Sequence, residues 1–220
     1  MHAERSQRFV LNDDSLEPED NLRFHLTYEG PLRGSFNGEK RASEKHTIRK
    51  EFHRQLRNLW KTPPLNRMFQ TIHLVTVNAG PKSETRLDYL YKNYARLNGH
   101  FIPLVTEDMG VWCGIDVLFL RSGKPGKVFK SGDIDNRMKT LLDALKMPEA
   151  MQDLGGQPFP AEDEDPFFCL LQDDGLVPKF SVEADTLLQP LDGGIPKDSD
   201  ARLIITVELR PISSVFGGIA

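Results

Sequence analysis

The chain is poor in cysteine. Cys113 and Cys169 are the only two in 220 residues, which excludes a disulfide framework and leaves no metal-binding Cys spacing. Each lies in an apolar run, so both read as buried thiols suited to a reducing compartment. No run approaches 18 apolar residues, so no membrane span is expected. Residues 1–20 are polar throughout and lack the apolar stretch of a signal peptide. A cytoplasmic protein with no membrane partner is therefore the expectation. A complete phosphate-binding loop is also missing: Ser122-Gly123-Lys124-Pro125-Gly126 does not satisfy G-x-x-x-x-G-K-[ST]. No repeat unit recurs. Hydrophobic residues make up only 39% of the chain, against 17 glycines and 15 prolines, which points to one core with long loops rather than a second full domain.

An excess of positive charge is absent too, with a formal net charge of −4, but the charges are segregated. Arg33 to Lys61 holds nine Lys/Arg against three Asp/Glu, and Arg121 to Lys146 holds seven against three. Residues 1–20 carry six acids and two bases, and Glu149 to Asp174 carries eight acids and no base. The basic segments can form one face while the acids sit in an arm and a loop. They can equally be ordinary solvated helix surfaces.

Periodicity supplies the elements. Residues 1–20 read as a flexible acidic arm. Leu22, Phe24, Leu26 and Tyr28 alternate with polar residues, as in a half-buried strand. A helix capped by Ser43 runs to about Lys61, with Ile48, Phe52 and Leu56 on its apolar stripe and Pro63-Pro64 as its stop. Arg49, Arg54 and Arg57 on its other faces can contact phosphates, while His46 and His53 read as surface or cap residues rather than ligands. Thr71 to Asn78 is strand-like, and Leu87 to Leu97 is helical with an aromatic stripe, Tyr91 and Tyr94, that reads as core. Val111 to Leu120 is the most strand-like run, apolar enough that both faces are expected to be covered. Residues 147–166 look like an inserted loop. Phe167 to Leu171 leads to the turn signal Asp174-Gly175, and strands follow over Val177 to Leu187 and Leu203 to Leu209. The fold class is α+β: a small mixed β-sheet with helices packed on it, inserted loops and an extra strand/helix segment. One domain covers 21–212, with insertions at about 62–110 and 147–166 and a C-terminal tail at 213–220.

The chemistry concentrates in Gly132 to Lys146. Asp133 and Asp135 flank Ile134, and an extended segment would point both carboxylates the same way. A helix then follows, with Met138, Leu141, Leu142 and Leu145 at apolar spacing and Asp135 as its N-cap. Lys139 and Asp143 lie four and eight residues beyond Asp135, on the opposite stripe. Two carboxylates held close together repel unless a cation sits between them, and oxygen-only ligands favour Mg²⁺ or Mn²⁺. A D-x-D before a helix is also an ordinary turn-and-cap arrangement.

The element order is strand, basic helix, insertion, strand, D-x-D-N-x-x-x-K helix, acidic turn, strand, strand. With Asp133-Ile134-Asp135-Asn136 and Lys139, Asp143-Ala144-Leu145, and the Asp173-Asp174 pair before Val177, it resembles the RusA-type Holliday junction resolvases. These are small phage and bacterial endonucleases. The likeness covers most of the chain outside residues 1–20 and 62–110. It implies a RusA-like mixed sheet with two helices, a homodimer, and Mg²⁺- or Mn²⁺-dependent cleavage of branched DNA. The family's metal-binding carboxylates map onto Asp133, Asp135 and Asp174, with Asp173 as the alternative to Asp174, and its essential lysine maps onto Lys139. Backbone contacts would come from Lys124, Lys127, Lys130, Asn136, Arg137, Arg49, Arg54 and Arg57. Family members are shorter and basic; this chain is acidic overall, with a longer gap between Leu145 and Asp173. Two other classes remain open: a catalytically degenerate branched-DNA or protein-binding module, and a metal-dependent nuclease acting on another nucleic acid.

Overall fold

Alternating apolar residues build a four-stranded sheet whose two faces differ sharply. The computed structural model describes residues 21–34, 39–68, 72–74, 82–122, 133–191, 193 and 197–211. Of residues 39, 40, 67, 68, 72–74, 82–84, 133 and 211 only the backbone is described. The sheet runs β1 (Leu22–Pro31), β9 (Asp200–Pro211), β6 (Val111–Arg121), β8 (Lys179–Thr186). The first two pairings are antiparallel and β6–β8 is parallel, so the sheet is mixed. The register aligns Leu26, Ile205, Val117 and Val182 in one row, and Tyr28, Leu203, Phe119 and Ala184 in the next, all on the inner face. The outer face carries rows such as His25, Thr206, Asp116 and Ser181. It is half-exposed, with Ile204 at 36%. The expectation that both faces of β6 are covered is therefore wrong: on its second face Trp112, Asp116, Leu118 and Leu120 are only half-buried, whereas Cys113, Ile115, Val117 and Phe119 are buried on the inner face.

Against the inner face lie α1 (Glu39–Leu59) and α4 (Asp133–Leu145), whose Ile48, Phe52, Leu56, Met138 and Leu141 share one core with the sheet. α1 starts four residues before Ser43, because Glu39 to Ala42 are themselves good helix formers. Gln55 on α1 pairs with both the N–H (2.9 Å) and the C=O (2.7 Å) of Thr27, closing the free edge of β1.

A second sheet orders β4 (Ala95–Arg96), β5 (Gly99–Val105) and β7 (Phe167–Leu171), with β5 and β7 parallel. The helix expected over Leu87 to Leu97 is α3 (Arg86–Asn93), followed by a hairpin. Leu97 and Asn98 take φ of 53° and 65°, the left-handed pair of a tight two-residue turn. Asn98-Gly99 thus joins two strands and does not end a helix. β5 escaped periodicity because it is continuously apolar from Phe101 to Val105 and contains Pro103, tolerated where β4 no longer pairs with it. Tyr91, expected in the core, is 39% exposed and stacks on His100. Short helix α2 (Leu65–Met68), the two-stranded pair β2 (Ile72–Leu74) and β3 (Lys82–Glu84), and 3₁₀ turns at Glu107–Met109, Met151–Leu154 and Asp174–Leu176 complete the described elements. The rest of the expected 71–78 strand, the 1–20 arm and the 213–220 tail lie outside the described residues.

Residues 147–166 form a strap pressed onto α1. Leu154 is fully buried, Glu164 is 3% exposed and pairs with Lys50 at 2.8 Å, and Gln157 donates to the Ser43 carbonyl at 3.0 Å. Gly155, at φ 61°, leaves no room for a side chain: a Cβ would stand 2.0 Å from the Ser43 nitrogen. Gly155→Ala is expected to destabilise by at least ~1–2 kcal/mol from the left-handed φ alone. An unchanged melting curve would show that the strap does not bear on α1.

Candidate functional site

α4 carries the D-x-D-N-x-x-x-K motif, and its placement decides what that motif can do. Asp133 opens the helix, so the motif is helical and not extended, and Asp135 lies inside the first turn rather than at the N-cap. Both acids sit near the positive end of the helix dipole, which favours carboxylates there. Met138, Leu141, Ala144 and Leu145 are buried, while Asp135 and Lys139, one turn apart, face solvent.

The helix is pinned at several points. Thr140 donates to the Arg33 carbonyl at 3.0 Å, and Lys45 pairs with Asp143 at 3.0 Å. Gly34 packs so closely on Asn136 that a Cβ there would lie 2.9 Å from the Asn136 Cβ. Arg137 was expected on DNA, but it is 7% exposed and both terminal nitrogens donate to the Asp198 carbonyl at 3.1 Å. Arg49, also expected on DNA, is 3% exposed. It donates to the carbonyls of Asp143 (2.7 Å), Lys146 (3.2 Å) and Asp153 (3.3 Å), which ties the C-terminus of α4 and the strap to α1. Both corrections have one cause. A guanidinium carries several donors, and the C-terminal end of α4, the strap and the 197–200 loop present the backbone carbonyls that take them up.

His46 and His53 are likewise buried, not surface or cap residues. The His53 Nδ1 accepts the Phe168 N–H at 2.8 Å, so its Nε2 carries the proton and donates to the Asp163 carbonyl at 3.2 Å. Arg54 and Arg57 remain exposed; Arg54 pairs with Glu51 at 2.6 Å. Arg57 reaches the Asp163 carbonyl at 3.5 Å, beside the strap that precedes β7. That is the end of β7 away from Asp173 and Asp174. Lys124, Lys127 and Lys130 lie outside the described residues.

Past α4, Met147 N–H donates to the Leu171 carbonyl at 3.0 Å, docking the helix C-terminus beside the end of β7. The chain then enters the acidic turn. Asp173 caps it, accepting the Gly175 N–H at 2.8 Å. Asp174 accepts from Lys146 Nζ at 2.9 Å, and the same ammonium donates to Glu149 at 2.8 Å. The Lys146 contact, and more weakly the charge of Lys139, hold the Asp174 carboxyl below the usual range. Burial works against the Lys146 charge, but the hydrogen bonds to Glu149 and Asp174 outweigh it and raise its pKa. Lys146 and Glu149 escaped the sequence reading. The available signal was spacing, since Lys146 lies seven residues after Lys139 and so returns to the same side of the helix. A polar cleft of about 380 Å³ adjoins the turn, with Tyr94, Arg96, Glu107, Glu149, Gln172 and Asp173 among its lining.

Comparison with protein-family models, curated proteins and solved structures finds no match. Function therefore rests on the residues. Among the described residues no three His, Cys, Asp or Glu side chains converge as a metal site. The Asp133 side chain is not among those residues. Asp135 and Asp174 are hard oxygen donors of the kind Mg²⁺ takes, and both are accessible, so they fit the ion in kind. They are separated along α4, however. Asp174 sits against Lys146, eleven residues and about 16 Å of helix rise beyond Asp135. No described helix is long and apolar enough to cross a membrane.

Proposed function

We propose that the protein is a RusA-like, metal-dependent endonuclease that hydrolyses phosphodiester bonds of branched DNA such as Holliday junctions. The observation that carries this reading is the outward stripe of α4, where Asp135 and Lys139 stand one turn apart and both face solvent. In this reading Asp133 and Asp135 would hold Mg²⁺ or Mn²⁺ at the N-terminal end of α4, while Asp174, or Asp173 in its place, is the third acid of the resemblance and lies toward the opposite end of that helix. When bound, the metal would activate water and offset charge on the phosphate. Lys139 binds the scissile phosphate and stabilises its developing negative charge. Asp173 keeps the turn in shape through the Gly175 N–H. Arg49 and Arg137 position α4 and do not touch DNA, whereas the exposed Arg54 and Arg57 would follow the backbone at long range. A homodimer belongs to the same reading.

A second reading, a branched-DNA or protein-binding module without catalysis, is favoured by the pairing of Asp174 with Lys146, which leaves no three described acids together. One experiment separates the readings: incubation with a synthetic four-way junction, a linear duplex and a flap, in Mg²⁺, Mn²⁺ or EDTA. The expected result is junction incision that requires the metal. Equal cutting of all substrates would indicate a nuclease for another nucleic acid. Binding without cutting in either metal would overturn the enzyme.

A further inference from the structure

We propose that the open edge of the main sheet, strand β8, joins two copies of this chain as an antiparallel β8–β8 pair about a twofold axis at Val182. The nuclease reading calls for a homodimer without saying which surface joins the copies; this inference rests on the sheet alone.

The two edges of the sheet differ. On β1, Gln55 takes up both the N–H and the C=O of Thr27. β8 ends the strand order beside β6, and no described strand lies beyond it. The Leu187 N–H donates to the Arg121 carbonyl at 2.8 Å, which fixes the phase of the ladder. Odd-numbered residues of β8 therefore turn their backbone groups toward β6, while Phe180, Val182 and Ala184 turn theirs outward. The outward Thr186 N–H is taken by the Asp185 carboxylate at 2.6 Å. A row of outward N–H and C=O groups is a template for another strand. The apolar layer is unfinished at the same place. Phe180, Val182 and Ala184 belong to the inner face yet are only half-buried, whereas Leu26, Ile205 and Val117, in the row of Val182, are buried. Leu188, at 93% exposure, stands two residues past the end of β8.

The side chains of β8 select a second copy as the occupant. Antiparallel copies must set outward-turned backbone groups opposite one another, which allows an axis at Val182 or at a neighbouring residue. An axis at Glu183 places two carboxylates face to face. An axis at Ser181 carries Asp185 past the start of the partner strand. The axis at Val182 pairs Lys179 to Asp185 throughout. On the outer face it sets Lys179 opposite the partner's Asp185, and symmetry repeats the pair. On the inner face Val182 meets its own copy and the large Phe180 meets the small Ala184. Lys179 also holds Asp116 of its own sheet at 3.0 Å, and an ammonium has donors for both. Exposed ion pairs are weak singly, so they choose the register while backbone bonds and apolar cover hold the pair.

Sedimentation equilibrium of the full-length protein, without DNA or metal, tests this. The expected result is a reversible monomer–dimer equilibrium that stops at two, since pairing uses β8 and Gln55 closes β1. Lys179→Asp and Asp185→Lys each set like charges opposite one another and should each weaken the dimer by about tenfold or more. Mixing these two variants in equal amounts should restore parental association, because every facing pair is then of opposite sign. Ala184→Pro removes an outward N–H and none of the bonds to β6, and should abolish the dimer while the thermal melt shows a folded chain. Should Ala184→Pro fail to fold, the charge variants decide. A parent that stays monomeric overturns the proposal and leaves the edge to an extended segment of another protein. A dimer that survives in folded Ala184→Pro, one that the single charge variants do not weaken, or one that their mixture does not restore also overturns it. Junction cleavage bears on none of these outcomes, so this inference and the nuclease reading fail separately.

Discussion

Asp135→Asn is expected to lower Mg²⁺-dependent junction cleavage by a thousandfold or more while junction binding persists. The substitution keeps size, hydrogen-bonding shape and helix propensity nearly constant, and Asp135 is solvent-exposed on α4, so folding should not change. What it removes is one unit of negative charge beside the first turn, where a dication would be held. Removal of a single preorganised electrostatic group in other active sites costs about 10²–10³ in turnover, and loss of a metal ligand acts on the activated water as well. Lys139→Ala should lower turnover by about a hundredfold with near-parental binding, since one exposed lysine is a minor part of a phosphate-tracking surface. Gel-shift titration in Ca²⁺ and single-turnover cleavage in Mg²⁺ separate the two quantities. Full activity of Asp135→Asn would remove the D-x-D motif from catalysis. Equal losses of binding and cleavage would assign it to DNA contact instead.

The parts of the molecule legible in the sequence were those where one residue type repeats with one period. Leu22 to Tyr28, Val111 to Phe119 and Leu203 to Leu209 alternate, and those residues form the inner rows of the main sheet. The apolar stripe of α4 was equally plain, and Met138, Leu141 and Leu145 are buried along it. Legibility failed where polar side chains are buried by something distant in sequence. His46, Arg49 and His53 follow the same helical period as Ile48, Phe52 and Leu56, shifted by one stripe. The strap from residue 147 to 166, offering the carbonyls of Asp153 and Asp163, and β7, whose Phe167 stacks on both histidines, together make that stripe interior. A stretch rich in Gly, Pro and acids looks like a loose loop, because hydrophobic spacing says nothing about backbone acceptors. The candidate site shows the same limit. Spacing set Asp135 and Lys139 on one stripe, but the partner of Asp174 depends on where β7 ends relative to α4, which no local pattern encodes.

Those buried histidines make stability fall steeply under mild acid. Burial, reinforced by Arg49 and Lys50, pushes the His46 pKa down to about 3, and burial, reinforced by Arg57, also lowers that of His53. Above the unfolded value near 6.5 both rings are neutral in the folded and the unfolded chain, so stability is at its full level. As pH falls below about 6.5 the unfolded chain takes up protons that the folded chain refuses, and stability drops by up to ~1.4 kcal/mol per pH unit per histidine. His46 alone removes about 2 kcal/mol by pH 5, and continues to remove more toward pH 3; His53 adds in the same direction. The refusal has a structural origin at His53. Its Nδ1 lone pair is occupied by the Phe168 N–H, so a second ring proton would face a donor across 2.8 Å. Urea unfolding at pH 7.5, 6.5, 5.5 and 5.0 measures the slope. His53→Gln preserves one acceptor and one donor without titrating, and His46→Asn keeps an acceptor for Arg49, whose Nη1 lies 3.3 Å from the His46 Nδ1. The double variant is expected to be less stable at pH 7.5 yet to lose most of the dependence between pH 6.5 and 5.0, a window above the range in which carboxylates titrate. A slope identical to the parent's would show that these two rings are not the groups that refuse the proton.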